Sequence, residues 1–136
     1  ESAAASVVKY GTGATRSAET AFDPEGFLSP AVLARFSDYM ARHRTQADGN
    51  LRDSDNWQKG MPTSRAWRSM TRHFLDAWLI KRGYKGHSPD AMDLDDVLCA
   101  LLFNVMLILK NRIDKDDHEA ERIEAHKPKS SSKYWP

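Results

Sequence analysis

Two aspartates and an asparagine share one face of a strongly apolar segment of the chain. Residues 93 to 109 read DLDDVLCALLFNVMLIL, which predicts a helix that is apolar in almost every direction and therefore buried. At 100° per residue, four positions fall on a single line down this helix: Asp93, Asp96, Ala100 and Asn104. Carboxylates three residues apart can hold Mg²⁺, which prefers oxygen ligands and keeps waters that a phosphate can replace. This line of residues is the first candidate for a functional site.

A structural explanation covers part of this pattern. Acids in the first turn of a helix stabilise it by ~0.3–1 kcal/mol each through the helix dipole, which accounts for Asp93 and Asp96 without a metal. It does not account for Asn104, because a buried amide that lacks a hydrogen-bond partner costs ~1–3 kcal/mol. A ligand would supply that partner, and so would the same residue of a second copy across a symmetric helical interface.

The composition limits the classes of function. The chain has 136 residues, enough for one domain with a real core, and its 20 basic residues nearly balance its 19 acids. This balance does not favour a DNA or RNA polymer as partner. Cys99, the only cysteine, lies in the apolar run, so we expect a buried thiol and neither a disulfide framework nor a cysteine zinc site within one chain.

No segment has the pattern of a leader or a membrane span. The N-terminal residues lack a charged region followed by an apolar stretch, so they do not predict a signal peptide. The longest apolar run, residues 97 to 109, is interrupted by Asn104 and too short to cross a bilayer. A cytoplasmic protein without membrane association is the expectation.

Three helices are predicted to position the candidate residues, and no stretch alternates as a strand would. Ser29-Pro30 begins a helix over about 30 to 44, and Thr63 or Ser64 begins a second one that ends at Gly83. Ser88-Pro89 begins the third, which runs to about Asp114. The second helix carries an apolar stripe at helical spacing: Trp67, Met70, Phe74, Ala77 and Trp78.

The expected fold is therefore all-α, a small bundle of three to four helices with an irregular N-terminal arm. The arm covers residues 1 to 28, the helical domain 29 to 126 and a disordered tail 127 to 136. The third helix is too apolar for so small a bundle to bury alone, so a homo-oligomer is expected.

Three segments together resemble a known family of enzymes. SDNWQKGMP (residues 54 to 62), RHFLDAW (72 to 78) and DLDDVLCALLFN (93 to 104) resemble, in order and spacing, motifs of the phage-borne dATP/dGTP diphosphohydrolase family. That family belongs to the MazG-like all-α NTP pyrophosphatases, and the resemblance covers about residues 27 to 110. It implies Mg²⁺-dependent hydrolysis of a purine nucleoside triphosphate to a monophosphate and pyrophosphate, in the host cytoplasm if the chain is a phage protein.

The resemblance also implies site residues. The two acidic motifs of the superfamily fall on His73 and Asp76 and on Asp93 and Asp96, so Asp76, Asp93 and Asp96 are the expected catalytic acids and ligands of Mg²⁺ or Mn²⁺. His73 replaces one acid of the four. This replacement leaves open an alternative in which the chain binds or sequesters a nucleotide without hydrolysing it. A third hypothesis is that the chain forms a purely structural oligomer of helices.

Six residues are predicted to bind the nucleotide: Asn56, Trp57, Lys59, Arg72, His73 and Asn104. Trp57 would stack on the base and Lys59 would contact phosphate, although a tryptophan in such a loop is also a common packing anchor. Arg72 would reach phosphate, or else pair with Asp76 four residues later on a solvated face. For His73, a hydrogen bond at the flank of the helix is favoured over metal ligation.

Overall fold

The computed structural model of the chain describes residues 6 to 17, 21 to 91, 93 to 114 and 117 to 126. Residues Glu1–Ala34 and Arg35–Pro136 form two compact units. The boundary between them falls inside a helix, six residues after the predicted end of the arm. The tail predicted to be disordered, 127 to 136, lies outside the described residues.

The first unit contains a small hairpin. Strand β1 (Val7–Lys9) pairs antiparallel with β2 (Thr15–Ser17), with Val8 opposite Arg16. A short helix α1 (Pro24–Phe27) follows, and Asp23 caps it by accepting a hydrogen bond from the Gly26 N–H. The prediction of an arm without strands was therefore wrong. Strands of three residues, exposed on both faces, are too short to show a period of two.

The second unit is helical, as predicted. Helix α2 (Pro30–Arg42) begins in the first unit, where the Ser29 hydroxyl accepts a hydrogen bond from the Val32 N–H. The later elements are a 3₁₀ turn (Asn56–Lys59), α3 (Thr63–Lys81), α4 (Leu94–Asp114) and α5 (Asp117–Ala125). Helices α3 and α4 form the most extensive contact between elements. No described helix is long and apolar enough to span a membrane.

The core lies between α3 and α4. Ala66, Leu107 and Ile108 are buried, and Trp57, Met61 and Met70 pack against them. The stripe predicted on α3 is only partly the core face: Met70 packs against the core, whereas Trp67, Phe74 and Trp78 are each more than half exposed. The small, buried side chains of Thr63 and Ala66 show that the core face of α3 is rotated by roughly 70° from Trp67, Phe74 and Trp78, a shift that hydropathy alone does not reveal.

Helix α4 begins later than the Ser88-Pro89 pair predicted. Its first residue is Leu94, and Asp93 caps it, because the Asp93 carboxylate accepts a hydrogen bond from the Asp95 N–H at 2.9 Å. The preceding loop packs tightly: a Cβ atom on Gly86 would lie 2.6 Å from the Cβ atom of Ala91. This loop fixes the point at which the acidic end of α4 starts.

Candidate functional site

A pocket of about 650 Å³ lies between α2, the 3₁₀ turn, α3 and α4. Four of the six residues predicted to bind a nucleotide line it: Asn56, Trp57, His73 and Asn104. They come from the loop before α3, from α3 itself and from α4, so folding collects them from 49 residues of chain. Pockets of roughly 300–1,000 Å³ are the usual size for small-molecule sites.

Aromatic rings form much of the wall. Trp57 meets Phe103 edge to face, with ring centroids 6.1 Å apart, and Tyr39 stacks against His43 at 4.1 Å. Trp57 also packs against the α3–α4 core, so it acts as an anchor while it lines the pocket. Flat apolar surfaces of this kind suit the face of a base.

Asn104 supplies a polar group in this apolar wall. It is only 5% exposed, and its side-chain Nδ2 donates a hydrogen bond of 2.8 Å to the Ala100 carbonyl one turn earlier on α4. This bond meets part of the hydrogen-bonding need of the buried amide and holds its orientation. The pocket therefore contains a positioned amide, which can distinguish bases by their hydrogen-bonding edges.

His73 contributes a neutral imidazole. Burial, together with the positive charge of Arg72, lowers the pKa of His73, and the negative charges of Asp76 and Asp90 oppose this only in part. At neutral pH the ring is therefore uncharged and offers one hydrogen-bond donor and one acceptor to the pocket. The hydrogen-bonding role of His73 stays a prediction.

Asp96 is held by two arginines of α2. Its Oδ1 atom lies 2.7 Å from Nη2 of Arg42 and 2.7 Å from Nη2 of Arg35, and its Oδ2 accepts a longer bond from Arg42. Asp93 lies farther from Arg35, at 3.7 Å. The hydrogen bonds from Arg42 and Arg35 lower the pKa of Asp96 to about 2, so this carboxylate is charged at any ordinary pH.

Asp76 is buried and bonded to the loop before α4. It is 1% exposed, and its Oδ1 accepts hydrogen bonds from the N–H groups of His87 at 2.7 Å and Ser88 at 3.1 Å. Burial disfavours the charged form, but the hydrogen bonds from Ser88 and His87 outweigh it and lower the pKa of Asp76. The Oδ2 atom is buried without a hydrogen-bond partner among the described residues.

These acids do not form an open metal site as they are held. The described part of the chain contains no group of three or more histidine, cysteine, aspartate or glutamate side chains placed to hold a metal. Both oxygens of Asp96 accept hydrogen bonds from arginine side chains, and Oδ1 of Asp76 accepts a hydrogen bond from a backbone N–H. The arginines would therefore compete with a cation bound by Asp93 and Asp96.

Two predicted phosphate contacts lie outside the pocket lining. Lys59 is exposed and pairs with Asp53 at 3.4 Å. Arg72 donates a hydrogen bond to the Ser69 hydroxyl and lines a separate, shallower groove, beside Trp67. The predicted pairing of Arg72 with Asp76 is not among the ion pairs of the described residues.

Sequence reasoning missed the contribution of α2. Arg35, Tyr39 and Arg42 recur at intervals of four and three residues and so share one face, which is the face turned toward Asp96. That spacing was visible in the sequence, but basic residues at the end of α2 also suit its dipole.

Comparison with known proteins gave no match to this chain among protein-family models, curated proteins or solved structures.

Proposed function

We propose that this chain binds a purine nucleoside triphosphate in the pocket between α2, α3 and α4 and hydrolyses it to a monophosphate and pyrophosphate. One observation carries the proposal. Asn56, Trp57, His73 and Asn104, chosen from the sequence as nucleotide contacts, line one pocket of suitable size. These residues come from three separate segments of the chain, and their presence in the lining of one pocket supports a shared site.

The chemistry of the wall supports a purine as ligand. Trp57, Tyr39 and Phe103 offer aromatic surface for stacking, worth ~1–3 kcal/mol per base in comparable sites. The Asn104 amide and the neutral His73 imidazole offer hydrogen bonds to the edge of the base. Such a site rejects a base that leaves these groups unpaired more strongly than one of the wrong size.

The acidic end of α4 supports hydrolysis. Asp96 and Asn104 lie on the same side of α4, about 80° apart around the helix and about 12 Å apart along it at 1.5 Å per residue. A nucleotide whose base contacts Asn104 can therefore extend its phosphates toward Asp96 and Asp93. Mg²⁺ or Mn²⁺, when held by these two acids, would neutralise charge on the phosphates and activate water.

A second candidate is nucleotide binding without turnover. Asp96 is engaged by two arginines, Asp76 is engaged by backbone N–H groups, and His73 stands where an acid is expected. All three observations favour a chain that retains the pocket but has lost catalysis. Such a protein would sequester a nucleotide and release it unchanged.

A panel of nucleotides separates the two candidates. The protein is incubated with dATP, dGTP, dCTP and dTTP in Mg²⁺, binding is measured by calorimetry, and the products are separated by chromatography. Monophosphate plus pyrophosphate from the purine nucleotides supports hydrolysis, whereas tight binding with intact ligand supports sequestration. The absence of binding to every nucleotide would overturn both.

We also propose that the chain acts as a homo-oligomer in the cytoplasm, where its nucleotide would be available. Exposed apolar residues follow the four-three-four spacing of a helix–helix seam on α4: Leu98, Leu102, Val105 and Leu109. On α3, Trp67, Phe74 and Trp78 are likewise exposed. We call the α3 set the aromatic face. A second copy would cover such surfaces, which rarely stay exposed in monomers.

A further inference from the structure

Two arginines share one carboxylate next to the proposed nucleotide pocket. The Nη2 atoms of Arg35 and Arg42 each lie 2.7 Å from the same oxygen atom, Oδ1 of Asp96. Two positively charged guanidinium groups therefore lie next to each other around a single acceptor atom. Each guanidinium carries five N–H donors, so this one carboxylate uses only a fraction of the donors available. The cluster has unused capacity to bind an anion with more oxygen atoms.

The cluster is accessible from solvent. The side chains of Arg35 and Arg42 are 36% and 53% exposed, whereas that of Asp96 is 31% exposed. Both guanidinium groups can therefore be reached by an incoming anion. Arg42 approaches Asp96 through both Nη atoms, which is the fork geometry that suits phosphate as well as carboxylate.

The cluster adjoins the pocket on both of its helices. On α2, Tyr39 lines the pocket and lies one turn from Arg35 and one turn from Arg42. On α4, Ala100 lines the pocket and lies one turn after Asp96. The charge of Asp96 also helps to raise the pKa of Tyr39, second to burial, which agrees with this proximity.

We propose that Arg35 and Arg42 form the subsite for the phosphate tail of the bound nucleotide, and that Asp96 occupies this subsite as a built-in competing anion until the nucleotide displaces it. The proposal rests on the proposed function, because it takes the pocket as the site of the base. It assigns roles to two arginines that sequence reasoning did not select. It also explains how Asp96 would become available when, and only when, a nucleotide is present.

Arg35, Arg42 and Asp96 lie beside the pocket lining, and the basic residues within that lining are less suited to this role. Arg44 and Arg52 also line the pocket, but Arg44 donates through Nε to the Arg52 carbonyl and Arg52 donates to the His43 carbonyl. These hydrogen bonds fasten the loop that follows α2. Arg44 is therefore the comparison residue for Arg35 and Arg42, since it carries the same charge and lines the proposed nucleotide pocket.

The test compares a triphosphate with its nucleoside in the absence of metal. Affinities for dATP and deoxyadenosine, and for dGTP and deoxyguanosine, are measured in EDTA by calorimetry or thermal shift. For wild type, the triphosphate is expected to bind more tightly. In the Arg35→Gln/Arg42→Gln variant, triphosphate affinity should fall by at least about tenfold, or ~1.4 kcal/mol, while nucleoside affinity stays unchanged.

Asp96→Asn should change triphosphate affinity in the opposite direction. The substitution keeps the shape but removes the competing charge, so triphosphate affinity in EDTA should rise. A simple metal-ligand role for Asp96 predicts no gain in triphosphate affinity without metal.

Arg35→Lys/Arg42→Lys retains the charge and should give an intermediate loss of triphosphate affinity, which preserves the test if the glutamine variant fails to fold. Arg82→Gln, at the exposed end of α3 and outside the pocket lining, is the control for loss of one positive charge.

The outcomes distinguish this inference from the proposed function. If wild type binds neither nucleosides nor triphosphates, the proposed function fails and the inference fails with it. If the nucleosides bind but the preference for triphosphate survives in the Arg35→Gln/Arg42→Gln variant, only the inference is overturned. A preference lost in Arg44→Gln alone, or an affinity lowered by Asp96→Asn in EDTA, would also overturn it.

Discussion

The carboxylate of Asp76 on α3 accepts a hydrogen bond of 2.7 Å from the backbone N–H of His87, eleven residues further along the chain. A second bond, from the Ser88 N–H, reaches the same oxygen. Asp76 therefore ties α3 to the loop that leads into the acidic end of α4. The residue assigned to the metal cluster by resemblance also has a clear structural task, and the two roles make different predictions.

Asp76→Ala should destabilise the protein. It removes the charged acceptor of two backbone N–H groups, and a hydrogen bond to a charged group contributes ~1.5–3 kcal/mol. The free energy of unfolding, measured in urea, should fall accordingly. Asp76→Asn keeps an acceptor oxygen and should cost less. If Asp76→Ala leaves stability unchanged, the hydrogen bonds to the loop are unimportant and a purely catalytic role regains support.

Trp57 and Lys59 should differ sharply, although they lie two residues apart. Trp57 lines the pocket and packs on the core, so Trp57→Ala should weaken nucleotide binding and also lower the melting temperature. Lys59 pairs with Asp53 on the surface, where an exposed pair is worth ~0–1 kcal/mol, so Lys59→Ala should change neither by much. Calorimetry of both variants tests this. A large loss of affinity in Lys59→Ala would restore it as a phosphate contact.

Divalent cations should stabilise the protein more in the presence of nucleotide than alone. Binding to the folded state raises the melting temperature, and Asp96 is engaged by arginines when no nucleotide is present. We expect a small shift with millimolar Mg²⁺ or Mn²⁺ alone and a larger one with dATP or dGTP added. Asp93→Asn/Asp96→Asn should abolish the cation-dependent part. A shift that survives this double substitution would place the metal elsewhere.

Acid should remove the contribution of Asp96 to stability. Hydrogen bonds from Arg42 and Arg35 lower its pKa from 3.8 to about 2 in the folded protein. A carboxylate with a lowered pKa stabilises the fold at pH values above its unfolded pKa, and this is lost as the pH falls from about 4 toward 2. Unfolding in urea across pH 2 to 7 tests this. The difference between wild type and Asp96→Asn should be constant above pH 5 and shrink below pH 4, and added salt should reduce it.

A charge placed on the aromatic face should change the oligomeric state. Trp67→Glu and Phe74→Glu put a carboxylate on residues that are more than half exposed in one chain, so the fold of a single chain should survive. If a second copy covers this face, light scattering should report smaller particles for the variants than for wild type. Arg82→Gln, at the exposed end of α3 and outside the groove that contains the aromatic face, changes the net charge by the same single unit and is the control. A wild type that is already monomeric would remove the basis for this expectation.

The sequence predicted the helices well where the local signals agreed. Ser29 and Pro30 marked the start of α2, and Gly83 follows α3 with a φ of 87°, as its role in ending the helix requires. The start of α4 was predicted too early. Ser88-Pro89 resembles a helix start, but the side chain that caps α4 is Asp93, and residues 88 to 91 form a turn in which the Ala91 N–H donates to the Ser88 carbonyl.

The sequence drew attention to some residues that line the pocket and not to the arginines beside it, for a physical reason. Asn104 and Trp57 stood out because each is unusual for its local surroundings, a buried amide and a large aromatic ring in a polar loop. Arg35 and Arg42 did not stand out, because arginines are ordinary on an exposed helix. Their importance comes from Asp96, which lies more than fifty residues away in the chain and meets them only through folding. Long-range pairing of this kind has no signature in a single sequence.

Helix α4 contains a second buried amide, Asn111, whose Nδ2 donates to the Met61 carbonyl and to the Thr63 hydroxyl. A helix so apolar could satisfy the hydrophobic effect at several rotations about its own axis, since Leu, Val and Ile side chains differ little in what they gain from burial. Asn111 removes that freedom, because only one rotation and one axial position bring its amide to the start of α3. Asn104, seven residues earlier, is thereby turned toward the pocket. Asn111 thus sets the register of α4, and this register places the Asn104 amide in the lining of the pocket, where it can contact a ligand.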